Sequence, residues 1–137
     1  MRLLAVSRFF CLLALLAAGY QAFADVKVTG MYSNMTISGG EDLSGMEIFI
    51  TGASNGYHAL VQCAKSEPMP PVLVTVTVSE PNISFNLPPV EKTGCEGTKA
   101  KGKITLDGLE LSFGDRYKPT VIKRGLSFWS KSEGAQD

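Results

Sequence analysis

Residues 72–78 read Val-Leu-Val-Thr-Val-Thr-Val. Four valines take one side of that segment, while Leu73, Thr75 and Thr77 take the other. Only an extended strand with one buried face satisfies such a period of two. The same alternation returns along the chain. Val28, Gly30 and Tyr32 share a face within 26–35, and Met46, Ile48 and Ile50 alternate with Glu47, Phe49 and Thr51. Tyr57, Ala59, Val61 and Cys63 oppose His58, Leu60 and Gln62, and Ile83 and Phe85 repeat the pattern. Turn residues punctuate the runs: Gly52-Ala53-Ser54-Asn55-Gly56, Glu80-Pro81-Asn82 and Asp107-Gly108. Ser66-Glu67-Pro68-Met69-Pro70-Pro71 forms a stiff corner. The segment 88–99 is irregular, and the last three strands are expected at about 100–106, 108–113 and 118–129. No stretch after residue 25 carries helical spacing. Eight short antiparallel strands joined to their neighbours predict an all-β fold, an eight-stranded up-and-down barrel whose closure removes exposed edges. A barrel of this size is filled by its own side chains or holds one small ligand, and the apolar interior predicts filling.

The strands do not begin at once. Arg2 and Arg8 give a positive start, residues 9–18 are apolar, and Ala22-Phe23-Ala24 supplies small residues at a cleavage site. This order predicts a signal peptide over 1–24. A membrane-spanning helix needs about 20 apolar residues, and this run is about half that before Gly19 and Gln21 interrupt it. Cys11 lies inside the apolar run and is followed by Leu12. Lipid-modification signals place a small residue there, so no lipid anchor is expected. The remaining chain, 25–137, is one β-barrel domain by length, expected in the periplasm or secreted.

Loss of the two signal arginines leaves 11 basic residues against 13 acidic ones. So balanced a charge argues against nucleic acid as a partner, and no membrane span is expected after signal cleavage. Loss of Cys11 leaves Cys63 and Cys95, which in an oxidising compartment are expected to form one disulfide. Such a bridge would pin the irregular 88–99 segment to the third strand.

Gly30-x-Tyr32 on the first strand, with Arg124 on the last, resembles the lipocalin and avidin (calycin) pattern. There a Gly-x-Trp opens the barrel and a late basic residue packs across the aromatic ring. Here Tyr stands in place of Trp, and the mature chain is short for a lipocalin. The chain also resembles small exported bacterial β-barrel proteins of unknown function. The matching segments are Gly30 to Met35, Gly45-Met46-Glu47-Ile48, and Arg124 with Ser127, Phe128 and Trp129. These likenesses imply that Gly30, Tyr32, Arg124 and Trp129 close the barrel, and they imply no activity. Gly114-Asp115-Arg116-Tyr117 resembles a loop of exported lysozyme inhibitors, but the rest of that signature is absent and no site is carried over.

Chemistry has little to work with. His58 is the single histidine, and alternation puts it on the outer face beside a hairpin, away from any serine and carboxylate. One histidine also excludes the imidazole-rich zinc sites. Glu41 and Asp42, with Asp25 and Glu47 elsewhere nearby, lack both the groove glycoside hydrolysis needs and the ligand series of a calcium loop. They read as solvated charges, and no catalytic residue, metal or cofactor is expected. Lys99, Lys101 and Lys103 share an outward strand face, where lysines discourage edge pairing. Asn34-Met35-Thr36 and Asn82-Ile83-Ser84 match the glycosylation pattern, which has meaning only in a eukaryotic secretory pathway.

Phe49, Leu60 and Leu73 stand apart. Each is apolar at an outward position on successive strands, which makes them the candidate interaction patch. Phe49 and Leu60 are expected to face each other across a hairpin, with Leu73 offset along its strand. Phe128 and Trp129 extend or cap the patch, or close the barrel. The residues together predict an exported protein-binding module, of the inhibitor or immunity type, meeting another exported protein through surface contacts and performing no covalent chemistry. The alternative is a carrier of a small apolar ligand in the barrel interior, and a hydrolytic enzyme comes third.

Overall fold

The computed structural model describes residues 26–114 and 118–133. The signal segment 1–24 and Asp115-Arg116-Tyr117 of the loop named above lie outside the described residues. The elements in chain order are β1 (Gly30–Ser33), β2 (Thr36–Ser38), β3 (Asp42–Ala53), β4 (Gly56–Pro68), β5 (Val72–Ser79) and β6 (Asn82–Asn86), then a short helix α1 (Val90–Thr93). β7 (Lys99–Ile104), β8 (Gly108–Phe113), β9 (Thr120–Arg124) and a second short helix α2 (Phe128–Glu133) complete it.

Every pairing from β3 to β9 joins sequence neighbours, antiparallel, and β1 bridges β9 back to β3. β1 and β2 run along β3 in one register, Ser33 opposite Glu47 and Thr36 opposite Ser44, so they form a single interrupted strand. The result is a closed, all-β antiparallel barrel of eight strands. Closure comes from Tyr32 opposite Arg124 and Ser33 opposite Lys123, with the Gly125 N–H donating to the Met31 carbonyl at 3.0 Å just beyond β9.

Alternation puts the expected side chains inside. Tyr32, Ile48, Ile50, Val61, Leu109 and Ile122 are essentially inaccessible, and each such aliphatic residue stabilises the fold by roughly 1.5–3 kcal/mol. Val74 and Val76 are buried, whereas Val72 and Val78, at the ends of β5, only pack against the core's margin. Cys63 on β4 and Cys95 just beyond α1 form the disulfide, with Cα atoms 5.3 Å apart. Their separation of 32 residues gives about 3–4 kcal/mol of stabilisation in the chain-entropy treatment.

The wall departs from simple alternation in three places. The strand expected over 26–35 starts only at Gly30 and breaks at Asn34-Met35. The cause is local: Asn34 Oδ1 accepts from the Met46 N–H at 2.8 Å, a role a backbone carbonyl would fill in a regular ladder. The displaced Asn34 carbonyl then lies where a side chain on residue 45 would be, 2.7 Å from an ideal Cβ, so Gly45 at φ +110° is required. The strand expected over 118–129 ends at Arg124, and residues 128–133 are helical. Val90–Thr93 likewise forms one helical turn inside the segment expected to be irregular.

Candidate functional site

α2 lies against the outer face of β3 and β4, and the contact is built from residues of distant segments. Glu47 projects outward from β3 yet is only 7% exposed. Its Oε1 accepts from Ser127 Oγ and its Oε2 from the Phe128 N–H, both at 2.6 Å. A carboxylate at these donors satisfies amides that the start of a helix leaves free, which is why the last strand gives way to a helix here. Phe128 packs on Met35, Leu43 and Ala64, a small apolar cluster outside the barrel. Trp129 Nε1 donates to Gln62 Oε1 at 2.9 Å, and Gln62 Nε2 donates to the Met69 carbonyl at 2.9 Å. Trp129 therefore sits on the outer wall beside β4.

Closure itself belongs to Tyr32 and Arg124. The Arg124 guanidinium lies over the Tyr32 ring at 4.7 Å from its centroid. It donates to Thr29 O at 2.7 Å, to Lys27 O and to the Tyr32 hydroxyl. A side chain at residue 30 would collide with Arg124 Nη1, at 2.5 Å, so Gly30 leaves the space the guanidinium fills. Burial pushes the Tyr32 hydroxyl above its ordinary 10.0, with the Arg124 charge and hydrogen bond opposing it.

Beside α2 runs an apolar row. Met31 is opposite Phe49, Phe49 opposite Leu60, and Leu60 opposite Leu73, on four adjacent strands. The row spans three strand spacings, about 14 Å. Phe49 is 42% exposed, Leu60 44% and Leu73 72%. Leu73 is thus in line with Leu60 rather than offset along β5. The corner before β5 doubles back, with the Met69 N–H donating to Cys63 O at 3.0 Å, and returns Val72 opposite Val61. Between the row and α2 lies a groove of about 270 Å³, lined by Met31, Phe49, Leu60, Pro71 and Trp129 with Glu47 and Gln62. Phe49, Leu60 and Leu73 are thus large apolar side chains left exposed side by side, and contiguous apolar surface of this kind is often functional.

The other candidates stay apart. Asp42 and His58 lie toward opposite ends of β3, because His58 is opposite Thr51, nine residues and about 30 Å along the strand from Asp42. No hydrolytic centre of Glu41, Asp42 and His58 can form. His58 instead shares a hydrogen bond with Asn55 Oδ1 at 2.9 Å in the hairpin turn. Among the described residues no cluster of His, Cys, Asp and Glu is arranged to hold a metal ion. Lys99, Lys101 and Lys103 are exposed on β7, opposite Asn86, Ser84 and Asn82. The barrel mouth that holds the disulfide has a cleft of about 110 Å³, reaching Met46, Cys63, Cys95, Phe113 and Ile122. A ligand site of roughly 300 Å³ or more is the usual size for a carried small molecule.

Sequence reasoning put Phe49, Leu60 and Leu73 on the outer face and grouped Gly30, Tyr32 and Arg124, but missed Met31, the register of Leu73 and the contacts of Glu47, Gln62 and Ser127. A signal was present: the Gly-Met-Glu-Ile and Arg-x-x-Ser-aromatic-Trp segments meet in space. Glu47 receives Ser127 and Phe128, and Gly45 makes room for Asn34 of the first segment. Compared with protein-family models, with curated proteins and with solved structures, the chain shows no match.

Proposed function

We propose that this chain is an exported protein-binding module acting through the outer wall of β1, β3, β4 and β5. The observation that carries the reading is the in-register row Met31–Phe49–Leu60–Leu73, exposed beside the Trp129 groove. Large apolar side chains left together on the solvent face of a strand cost solubility, and a partner that covers them recovers the hydrophobic gain. An aromatic and aliphatic centre bordered by Ser33, Thr51 and Thr75, with Glu47 as the charge in the groove, is a composition an interface can have. An inhibitor or immunity-type role fits such a surface, since blocking a partner needs shape and affinity without chemistry. The calycin-like and exported-bacterial resemblances of the sequence belong to the same reading, as does residence in the periplasm or outside the cell, where a disulfide persists. The carrier reading gets no support from the cleft at the disulfide end, which has about a third of the volume a carried ligand usually needs.

The test is affinity capture from the exported fraction of the native host, with wild-type protein and the Phe49→Asp/Leu60→Asp variant side by side. Thermal melts of both establish that the variant is folded. A partner held by wild type and lost from the folded variant supports the reading. Equal capture by both overturns it.

A further inference from the structure

We infer that the groove beside Trp129 receives a segment of the partner protein that combines a large apolar side chain with a neighbouring lysine or arginine. This rests on the outer-wall reading above and names the partner's chemistry. Glu47 carries the inference. It is 7% exposed and is the charged residue among those lining the groove. Its hydrogen bonds come from the Ser127 hydroxyl and the Phe128 amide, both uncharged donors, and no lysine or arginine among the described residues pairs with it. Two donors leave each carboxylate oxygen with one more acceptor site. A negative charge so shielded from water interacts more strongly with an arriving cation than a surface carboxylate does.

The apolar half of the motif follows from continuity. α2 already covers one end of the β3–β4 outer wall, seating Phe128 on Leu43 and Ala64. The same wall continues past Glu47 and Gln62 to Phe49 and Leu60, which stay 42% and 44% exposed among the described residues. An apolar side chain docking there would extend a contact the protein already makes with itself. Size argues against a second copy of this chain as the occupant. One side of a standard interface buries about 800 Å², whereas the exposed row is four side chains in a single line across the wall. A narrow segment matches the 14 Å row better than a second barrel wall does.

The exported protein is titrated with two synthetic pentapeptides, acetyl-Lys-Leu-Phe-Leu-Lys-amide and its twin with glutamate in place of lysine. Binding is followed by calorimetry and by emission of Trp129, the single tryptophan of the chain. The lysine peptide is expected to bind and shift the emission, with the glutamate twin roughly tenfold weaker or more. Glu47→Gln should erase that preference. Ser127→Ala, which weakens the α2 contact but leaves the charge, should keep it. Leu60→Asp should abolish binding of both. Equal affinity for the twins, binding of neither, or a preference that survives Glu47→Gln overturns the inference. If the twins bind equally or the preference survives Glu47→Gln, and Leu60→Asp still removes binding, the outer-wall reading stands. If Leu60→Asp changes nothing, both fall.

Discussion

The guanidinium of Arg124 lies over the ring of Tyr32, 4.7 Å from its centroid, at the junction where the first and last strands close the barrel. The ladder there is short, two residue pairs extended by the Gly125 N–H donating to the Met31 carbonyl at 3.0 Å, so the side chains supply much of its strength. Arg124 reaches back to the carbonyls of Lys27 and Thr29, and Tyr32 donates to the Val28 carbonyl at 2.9 Å. One arginine thereby fixes both the seam and the chain that leads into it.

Arg124→Ala should destabilise the protein by about 2 kcal/mol, through lost charge-assisted hydrogen bonds and the ring contact. Urea unfolding measures this. Gly30→Ala should cost a comparable amount, because φ is +143° and the new methyl meets Arg124 Nη1. Combined, the two substitutions should cost less than their sum, since removal of the arginine removes the collision.

Tyr32 titrates above 10.0 in the folded protein because burial disfavours the phenolate. The unfolded chain therefore releases this proton first as pH rises. Stability from this group is complete below pH 10 and is lost as pH climbs from there through the higher folded value. Tyr32→Phe should lower stability at neutral pH and show a shallower alkaline loss than wild type. Melts of both proteins between pH 8 and pH 11 check this, the difference between them excluding the lysines that titrate in both.

The strand periodicity made the barrel legible, because one buried face leaves its imprint on every second residue from Val28 to Ile122. The disulfide was legible from the two cysteines outside the expected signal peptide. The helix at Phe128–Glu133 was not, since it depends on Glu47, some eighty residues away, accepting the Ser127 hydroxyl and the Phe128 amide. Nor was the break at Asn34 legible, for an asparagine that replaces its own carbonyl looks in sequence like any strand polar residue. Leu73 shows a third kind of miss. Its face was read correctly, but its register depended on how the Pro-rich corner folds back.

Removal of the disulfide by Cys63→Ala with Cys95→Ala should lower stability by about 3–4 kcal/mol, a fall in Tm of roughly 15 °C or more for a domain this size. Calorimetry of the oxidised wild type against the variant measures it.

Gln62→Ala cuts both the Trp129 indole bond and the tie to the Met69 carbonyl. The barrel should lose only about 1 kcal/mol, while Trp129 emission moves to longer wavelength as the indole gains freedom. A red shift with a nearly unchanged melt identifies α2 as held by these outer-wall contacts, and an unchanged spectrum contradicts that assignment.

The central claim is that the Phe49–Leu60–Leu73 wall is where this protein meets another. Photo-crosslinking in the native host tests it most directly, with a photoreactive phenylalanine placed at Leu73 in one strain and at Ser84, on the β6 wall, in another. A discrete higher-mass adduct at position 73 and none at 84 is the predicted result. An adduct at 84 with none at 73, or none at either, would contradict the account.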